Sequence, residues 1–112
     1  MKLVTAIIQP FRLEQVKQAL SDTLHKGLTV TEVRGYGAQK GHTEVYRGTE
    51  FQVDFRPKVR IDLIVSDEDA AEVIETIIQA ARTGSLGDGK IWTQDISDVI
   101  RVRTGERGID AV

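Results

Sequence analysis

Apolar positions along the chain change period four times, and those changes mark its elements. Residues 2–9, KLVTAIIQ, are rich in β-branched side chains and stop at Pro10, which predicts a strand. From Arg12 the spacing becomes helical: Leu13, Val16, Leu20 and Leu24 share one face, opposite Glu14, Lys17, Gln18 and Asp22. His25, Lys26 and Gly27 follow in the order expected at a helix C-terminus. Residues 28–34 return to strand composition. After Pro57, Val59, Ile61, Leu63 and Val65 alternate with Arg60, Asp62, Ile64 and Ser66, a strand with one apolar face. Ser66 with Asp67, Glu68 and Asp69 starts a second helix. Its stripe of Ala70, Val73, Ile74, Ile77, Ile78 and Ala81 is the strongest helical signal in the chain, and Arg82 and Gly84 close it. A glycine-rich turn over 82–90 leads into a strand at Ile91-Trp92-Thr93. Residues 98–103, where Ile100 and Val102 alternate with Arg101 and Arg103, predict a further extended stretch. The polar tail after Thr104 is expected to be mobile.

The order β-α-β, long connection, β-α-β predicts an α+β fold of ferredoxin-like type: a four-stranded antiparallel sheet with both helices on one face. The other face would lie open, and its apolar residues predict packing against another subunit. Between the second and third strands lies an irregular stretch, 35–58, GYGAQKGHTEVYRGTEFQVDFRPK. It runs to roughly twenty residues where connections of about 4–6 are typical. Tyr36, Tyr46, Phe51 and Phe55, four of the six aromatics, sit among its glycines and mixed charges. No strand or helical period is evident in it, and it reads as a recognition arm.

Composition narrows the classes without naming a function. The chain has 112 residues, 40% hydrophobic and 29% charged, which fits one domain, 1–112, with an ordinary core. A net charge of −2 gives no reason to expect broad binding to nucleic acid or anionic membranes. The absence of cysteine removes disulfides, thiolate metal sites and cysteine nucleophiles. No signal-peptide pattern or membrane-length apolar run is found, so a cytoplasmic location is expected.

Phosphate chemistry is the candidate that the residues raise. GSLGDGK at 84–90 superficially matches a Walker A loop, but Ile91 follows the lysine and the order is helix, loop, strand. The magnesium-binding hydroxyl and the helix N-terminus are both missing. The turn still offers backbone N–H groups and Lys90. Arg101 and Arg103, two apart on an expected strand, would project side by side and match phosphate geometry. Arg60 and Asp62 would line the same polar face. A plain glycine turn with solvated or paired arginines explains the same residues. His25 and His42 lack an obvious third partner for a metal.

At this point a resemblance supplies what spacing does not. VTEVRGYG at 30–37, QKGHTEVYRG at 39–48, VDF at 53–55 and PKVRI at 57–61 are followed by AARTGSLGDGKIW at 80–92 and IRVRTGERG at 100–108. In this order and spacing they resemble the PII nitrogen-regulatory signal proteins along nearly the whole chain. The resemblance implies a trimeric assembly, a homotrimer with nucleotide sites between subunits. It implies that ATP or ADP phosphates meet Gly87, Asp88, Gly89 and Lys90, with Arg101 and Arg103 arriving from the neighbouring subunit. Gly35 and Gly37 would allow close backbone approach, and Thr29 and Ile64 would lie by the adenine. Gln39 would complete the coordination of Mg2+ bound with ATP, and 2-oxoglutarate would chelate that metal while pairing with Lys58. Residues 35–58 would be the effector- and target-binding loop, 82–90 the nucleotide loop and 101–112 a C-terminal loop. The implied partners are an ammonium transporter, approached through Arg47 and recruiting the protein to the membrane, or a nitrogen-metabolism enzyme or regulator.

The chain also departs from the family pattern. Phe51 stands where many relatives have a tyrosine that accepts a nucleotidyl group, and without a hydroxyl that modification cannot occur there. Tyr46 remains, for packing or partner contact. Ala38 replaces an arginine that helps hold ATP phosphates, and Gln52 and Arg56 are loop choices that could alter target recognition. Two alternatives stand beside a regulator that acts by binding. A small ATP-hydrolysing or phosphotransfer enzyme lacks an evident base, nucleophile or acidic metal pair. An RNA-binding sheet lacks the aromatic stacking residues on its central strands.

Overall fold

The computed structural model describes residues 1–23, 25, 27–37, 43–46, 49–52 and 55–112, with 43–46 and 49–52 followed as backbone alone. In chain order the elements are β1 (Lys2–Ile8), α1 (Leu13–Ser21), β2 (Thr29–Gly35), β3 (Thr43–Tyr46), β4 (Thr49–Gln52), β5 (Arg56–Val65), α2 (Asp67–Ala81) and β6 (Lys90–Asp95). Strands β2-β5-β1-β6 form one antiparallel sheet in that order. With the two helices this is the expected ferredoxin-like fold.

Strand alternation decides which side carries the core. Val4, Ala6 and Ile8 of β1 and Val59, Ile61, Leu63 and Val65 of β5 point to one face. There they meet Val16 and Leu20 of α1 and Ala70, Val73, Ile77 and Ala81 of α2, all buried. Ser66 caps α2 as its sequence predicts, its hydroxyl accepting the Asp69 N–H at 3.2 Å. The opposite face carries Thr5, Ile7, Arg60, Asp62, Ile64 and Trp92, brought into line by the pairings Thr5↔Asp62, Thr5↔Trp92 and Ile7↔Arg60. Neither helix covers it, and Ile64 and Trp92 stay 37% and 40% exposed. Arg60 and Asp62 do share this face, as a bonded pair at 2.9 Å, with Thr5 donating to Asp62 at 2.7 Å.

Three expectations are corrected. Helix α1 ends at Ser21, before the His25-Lys26-Gly27 signal. The Thr23 hydroxyl donates to Leu20 O at 2.6 Å and accepts the His25 N–H at 3.1 Å, which turns the chain out of the helix early. Leu24 and Lys26 lie outside the described residues. The long connection does contain regular structure: β3 and β4 pair antiparallel with Thr43↔Gln52 and Tyr46↔Thr49, in a sheet of their own. Its last three residues, with Arg56 and Pro57 opposite Gly35 and Arg34, already belong to the main sheet.

The third correction concerns Arg101 and Arg103, which do not ride a strand. Arg101 N–H bonds Glu106 O at 2.9 Å and Gly105 N–H bonds Arg101 O at 2.7 Å, with Gly105 at φ +74°. A positive φ at Gly105 closes a tight turn that alternation alone would not reveal. Ile100 then pairs with Arg107, and the tail ends in a short 3-10 helix at Gly108–Ala111.

Candidate functional site

The connection between α2 and β6 is organised by one carboxylate. Asp88 accepts the N–H groups of Thr83 and Gly84, both at 2.8 Å, and the Thr83 hydroxyl. These bonds curl 83–88 into a compact turn. Gly84, Gly87 and Gly89 take φ of +87°, +95° and +94°, which few other residues tolerate. Gly89 has a second reason to be glycine: a Cβ there would lie 1.7 Å from Ile7 O. The turn therefore rests flush on the backbone of β1. Thr83 was not singled out by sequence; a hydroxyl two residues past the last helical alanine was the available signal.

Beside the turn opens a cleft of about 430 Å³ lined by Ile7, Gly35, Tyr36, Gly37, Lys58, Gly87, Gly89, Lys90 and Trp92. Six of the residues proposed from sequence thus converge: Gly35 and Gly37 from the foot of the arm, Lys58 from β5, and Gly87, Gly89 and Lys90 from the turn. Asp88, also proposed from sequence, is not among the lining residues; its carboxylate is engaged by Thr83 and Gly84. Lys58 is buried, its Nζ donating to Gly87 O at 2.6 Å and to Gln9 Oε1 at 3.0 Å. Burial, with the charge of Arg56, pushes its ammonium below the usual lysine pKa, and Asp88 opposes that shift. Gln9, Tyr36 and Trp92 were not assigned here by sequence. Gln9 was visible only as a polar residue ending an apolar strand. Gln39 and Arg47, with Ala38 and His42, lie outside the described residues, as do the side chains of Tyr46, Phe51 and Gln52.

The other four proposed residues sit elsewhere. Thr29 begins β2 and Gly35 ends it, roughly 20 Å apart at ~3.3 Å per strand residue. Ile64 pairs with Leu3, near the start of β1, whereas the cleft adjoins Ile7. Strand β6 runs from Lys90 beside Ile7 to Asp95 beside Lys2, so Arg101 and Arg103 follow its far end. There Arg101 pairs with Glu106 at 3.0 Å and Arg107 with Asp98 at 2.8 Å. The residues proposed from sequence therefore fall, within one copy, into two groups at opposite ends of its sheet.

The family model for nitrogen regulatory protein P-II matches residues 1–106. The chain belongs to that family. Nitrogen regulatory protein P-II of Rhizobium meliloti (strain 1021) is 54% identical over 112 residues, the full length of both chains. Those of Pasteurella multocida (strain Pm70) and Rhodospirillum rubrum are 54% and 55% identical, again over all of both chains. The chain is accordingly a nitrogen-regulatory signal protein of a family that works through target proteins. Among the described residues no helix is long and apolar enough to cross a membrane, and no group of three His or acidic side chains is placed to hold a metal.

Asp88 gives the turn a defined acid limit. Bonds from Thr83 and Gly84 hold its carboxyl below the ordinary value of 3.8, with the Arg12 charge adding a smaller share. Asp62, bonded to Arg60 and Thr5, and Asp67, bonded to the N-terminal amine, shift the same way. For each, the unfolded chain takes up its proton first as pH falls. The stability they supply is present above about pH 4 and is lost through the depressed folded values. Chemical denaturation from pH 6 down to 2 should show this loss. The Asp88→Asn variant should lose less between those limits than wild type, starting from a lower value at pH 6. Parallel curves would refute the assignment.

Proposed function

We propose that this chain is a ligand-gated regulator that senses adenine nucleotide together with 2-oxoglutarate and passes the result to target proteins through the 35–58 arm. The observation that carries the reading is the cleft, where the arm's foot, a buried lysine and a glycine turn meet in one place. Phosphates suit the turn at 87–90, where glycines permit close backbone approach and Lys90 supplies charge. A carboxylate suits Lys58. Mg2+, a hard cation, would take ligand oxygens and the Gln39 amide, offsetting the repulsion between ATP and the dicarboxylate. Because Gly35 and Gly37 line the cleft and also begin the arm, occupancy biases the arm's conformation.

The two groups of residues favour assembly. Thr29, Ile64, Arg101 and Arg103 lie too far from the turn to serve the same ligand within one copy. A second copy that places its far end against this cleft supplies them, and closure of that head-to-tail contact gives a ring. A homotrimer also covers the sheet face that leaves Ile64 and Trp92 exposed. The protein acts by binding and is not an enzyme. Its targets are a nitrogen-metabolism enzyme or regulator, or an ammonium transporter that brings it to the membrane. Phe51 leaves ligands, not nucleotidylation at that position, as the switch.

Calorimetry with ATP and ADP, then with 2-oxoglutarate in the presence and absence of Mg-ATP, tests this reading. Quenching of Trp92, the sole tryptophan and a lining residue of the cleft, provides a second signal. Saturable ATP binding and dicarboxylate binding that requires Mg-ATP are expected. Light scattering should give three times the 12.4 kDa chain mass. Absence of nucleotide binding would sink the proposal, and ATP binding without 2-oxoglutarate would limit it to adenylate sensing.

A further inference from the structure

Three separate chain segments converge on one ammonium. Lys58 projects from β5, Gln9 follows β1 directly, and Gly87 belongs to the turn after α2. Lys58 and Gln9 are each only 8% exposed. The backbone holding Gln9 is fixed, since Pro10 follows it and its carbonyl accepts the Arg12 N–H at 3.0 Å. The Lys58 stem is covered by Gly35, where a Cβ would sit 3.5 Å from Lys58 Cγ. A long, flexible side chain is thus held in one place, with Gln9 Oε1 and Gly87 O as acceptors.

We propose that Gln9 is a positioning residue: its amide oxygen fixes the Lys58 ammonium against the Gly87 carbonyl, so that the cation of the dicarboxylate site at the arm's foot is held in contact with the backbone of the phosphate turn. This rests on the ligand assignment proposed above. The chemistry of the amide is what makes the choice informative. It accepts a hydrogen bond without cancelling the ammonium's charge, which a carboxylate in its place would do. An aliphatic side chain would instead leave a buried ammonium short of an acceptor. A dicarboxylate that engages Lys58 competes with the Gly87 carbonyl, and the phosphate turn registers its arrival. Among the described residues, the other charges around Lys58 are Arg56 on its own strand and Asp88 and Lys90 on the turn.

Full-length wild type, Gln9→Glu and Gln9→Leu are titrated with ATP and then, under saturating Mg-ATP, with 2-oxoglutarate. In parallel, lysine-selective NMR follows the Lys58 titration without ligand. ATP affinity should stay within about threefold in all three proteins. Gln9→Glu should weaken 2-oxoglutarate binding by about tenfold or more, because its carboxylate competes with the ligand's for the Lys58 ammonium. The Lys58 midpoint should rise in Gln9→Glu and fall in Gln9→Leu, a response that general loosening of the fold does not produce. Unmoved midpoints in both variants would overturn the inference, even if wild type binds both ligands. Shifted midpoints in a protein that binds neither ligand would instead overturn the proposed function while leaving the Gln9–Lys58 tether in place.

Discussion

Gly89→Ala should abolish nucleotide binding, weakening it by at least about 100-fold, and lower the melting temperature. Two independent penalties meet at this position. A φ of +94° is strained for any residue with a Cβ, at roughly 1–2 kcal/mol. The added carbon would also lie 1.7 Å from Ile7 O and 2.7 Å from Ile7 C, both backbone atoms that cannot rotate away. Relief requires the turn to lift off β1, which pulls at Lys90, opposite Ile7 as the first pair of the β1–β6 ladder. The turn then no longer faces Lys58. Gly84→Ala separates the two penalties, because its φ of +87° is similar and its Cβ would meet nothing within 4 Å. That control should lose only about 1 kcal/mol of stability and keep most of its affinity. Thermal melts and calorimetry on both variants decide the matter. Equal behaviour would mean that contact with Ile7 does not set the turn.

The contrast between those glycines shows what the sequence could and could not convey. The GSLGDGK segment advertises positive φ, yet nothing in it distinguishes a glycine in open space from one pressed on a carbonyl. The core was legible because period is a local property: the α2 stripe and the β5 alternation each predict the buried face without reference to any partner. The nearness of Lys58 to Gly87, 29 positions later, depends on β5 lying beside β1, and only motif resemblance pointed there. Arg101 and Arg103 show the opposite failure. Alternation suggested a strand, but Gly105, four residues after Arg101, accepts a positive φ and lets backbone bonds close a turn instead. Likewise β3 and β4 are only four residues each, too short for a pattern among glycines and charges to reveal. Gln9 carried no motif at all, since its importance comes from what the fold brings to its amide oxygen.

Lys58→Met should eliminate the 2-oxoglutarate response while ATP binding stays within about fivefold. The substitution keeps much of the stem that packs under Gly35 and removes the charge. A carboxylate that has lost its buried cationic partner forfeits about 2–5 kcal/mol, which at 3 kcal/mol is already more than 100-fold in affinity. ATP retains the turn and Lys90, so its loss should be modest. Stability supplies an independent reading. Removing the ammonium takes one donor from Gln9 Oε1 and from Gly87 O, which costs stability, but it also relieves the desolvation of a buried cation, so the net change at neutral pH should be small. The pH dependence is sharper. With its pKa held below 10.5 in the folded chain, Lys58 releases its proton before the unfolded chain does. Between the lowered value and 10.5 the unfolded state binds more protons, so this group makes stability rise with pH across that window. Urea midpoints at pH 7 and pH 10 should therefore diverge less favourably toward pH 10 in Lys58→Met than in wild type. If the midpoints of the two proteins track each other while 2-oxoglutarate binding is lost, Lys58 pairs with the effector without being desolvated by the fold. If binding is retained, the carboxylate is held elsewhere and the cleft has been assigned to the wrong ligand.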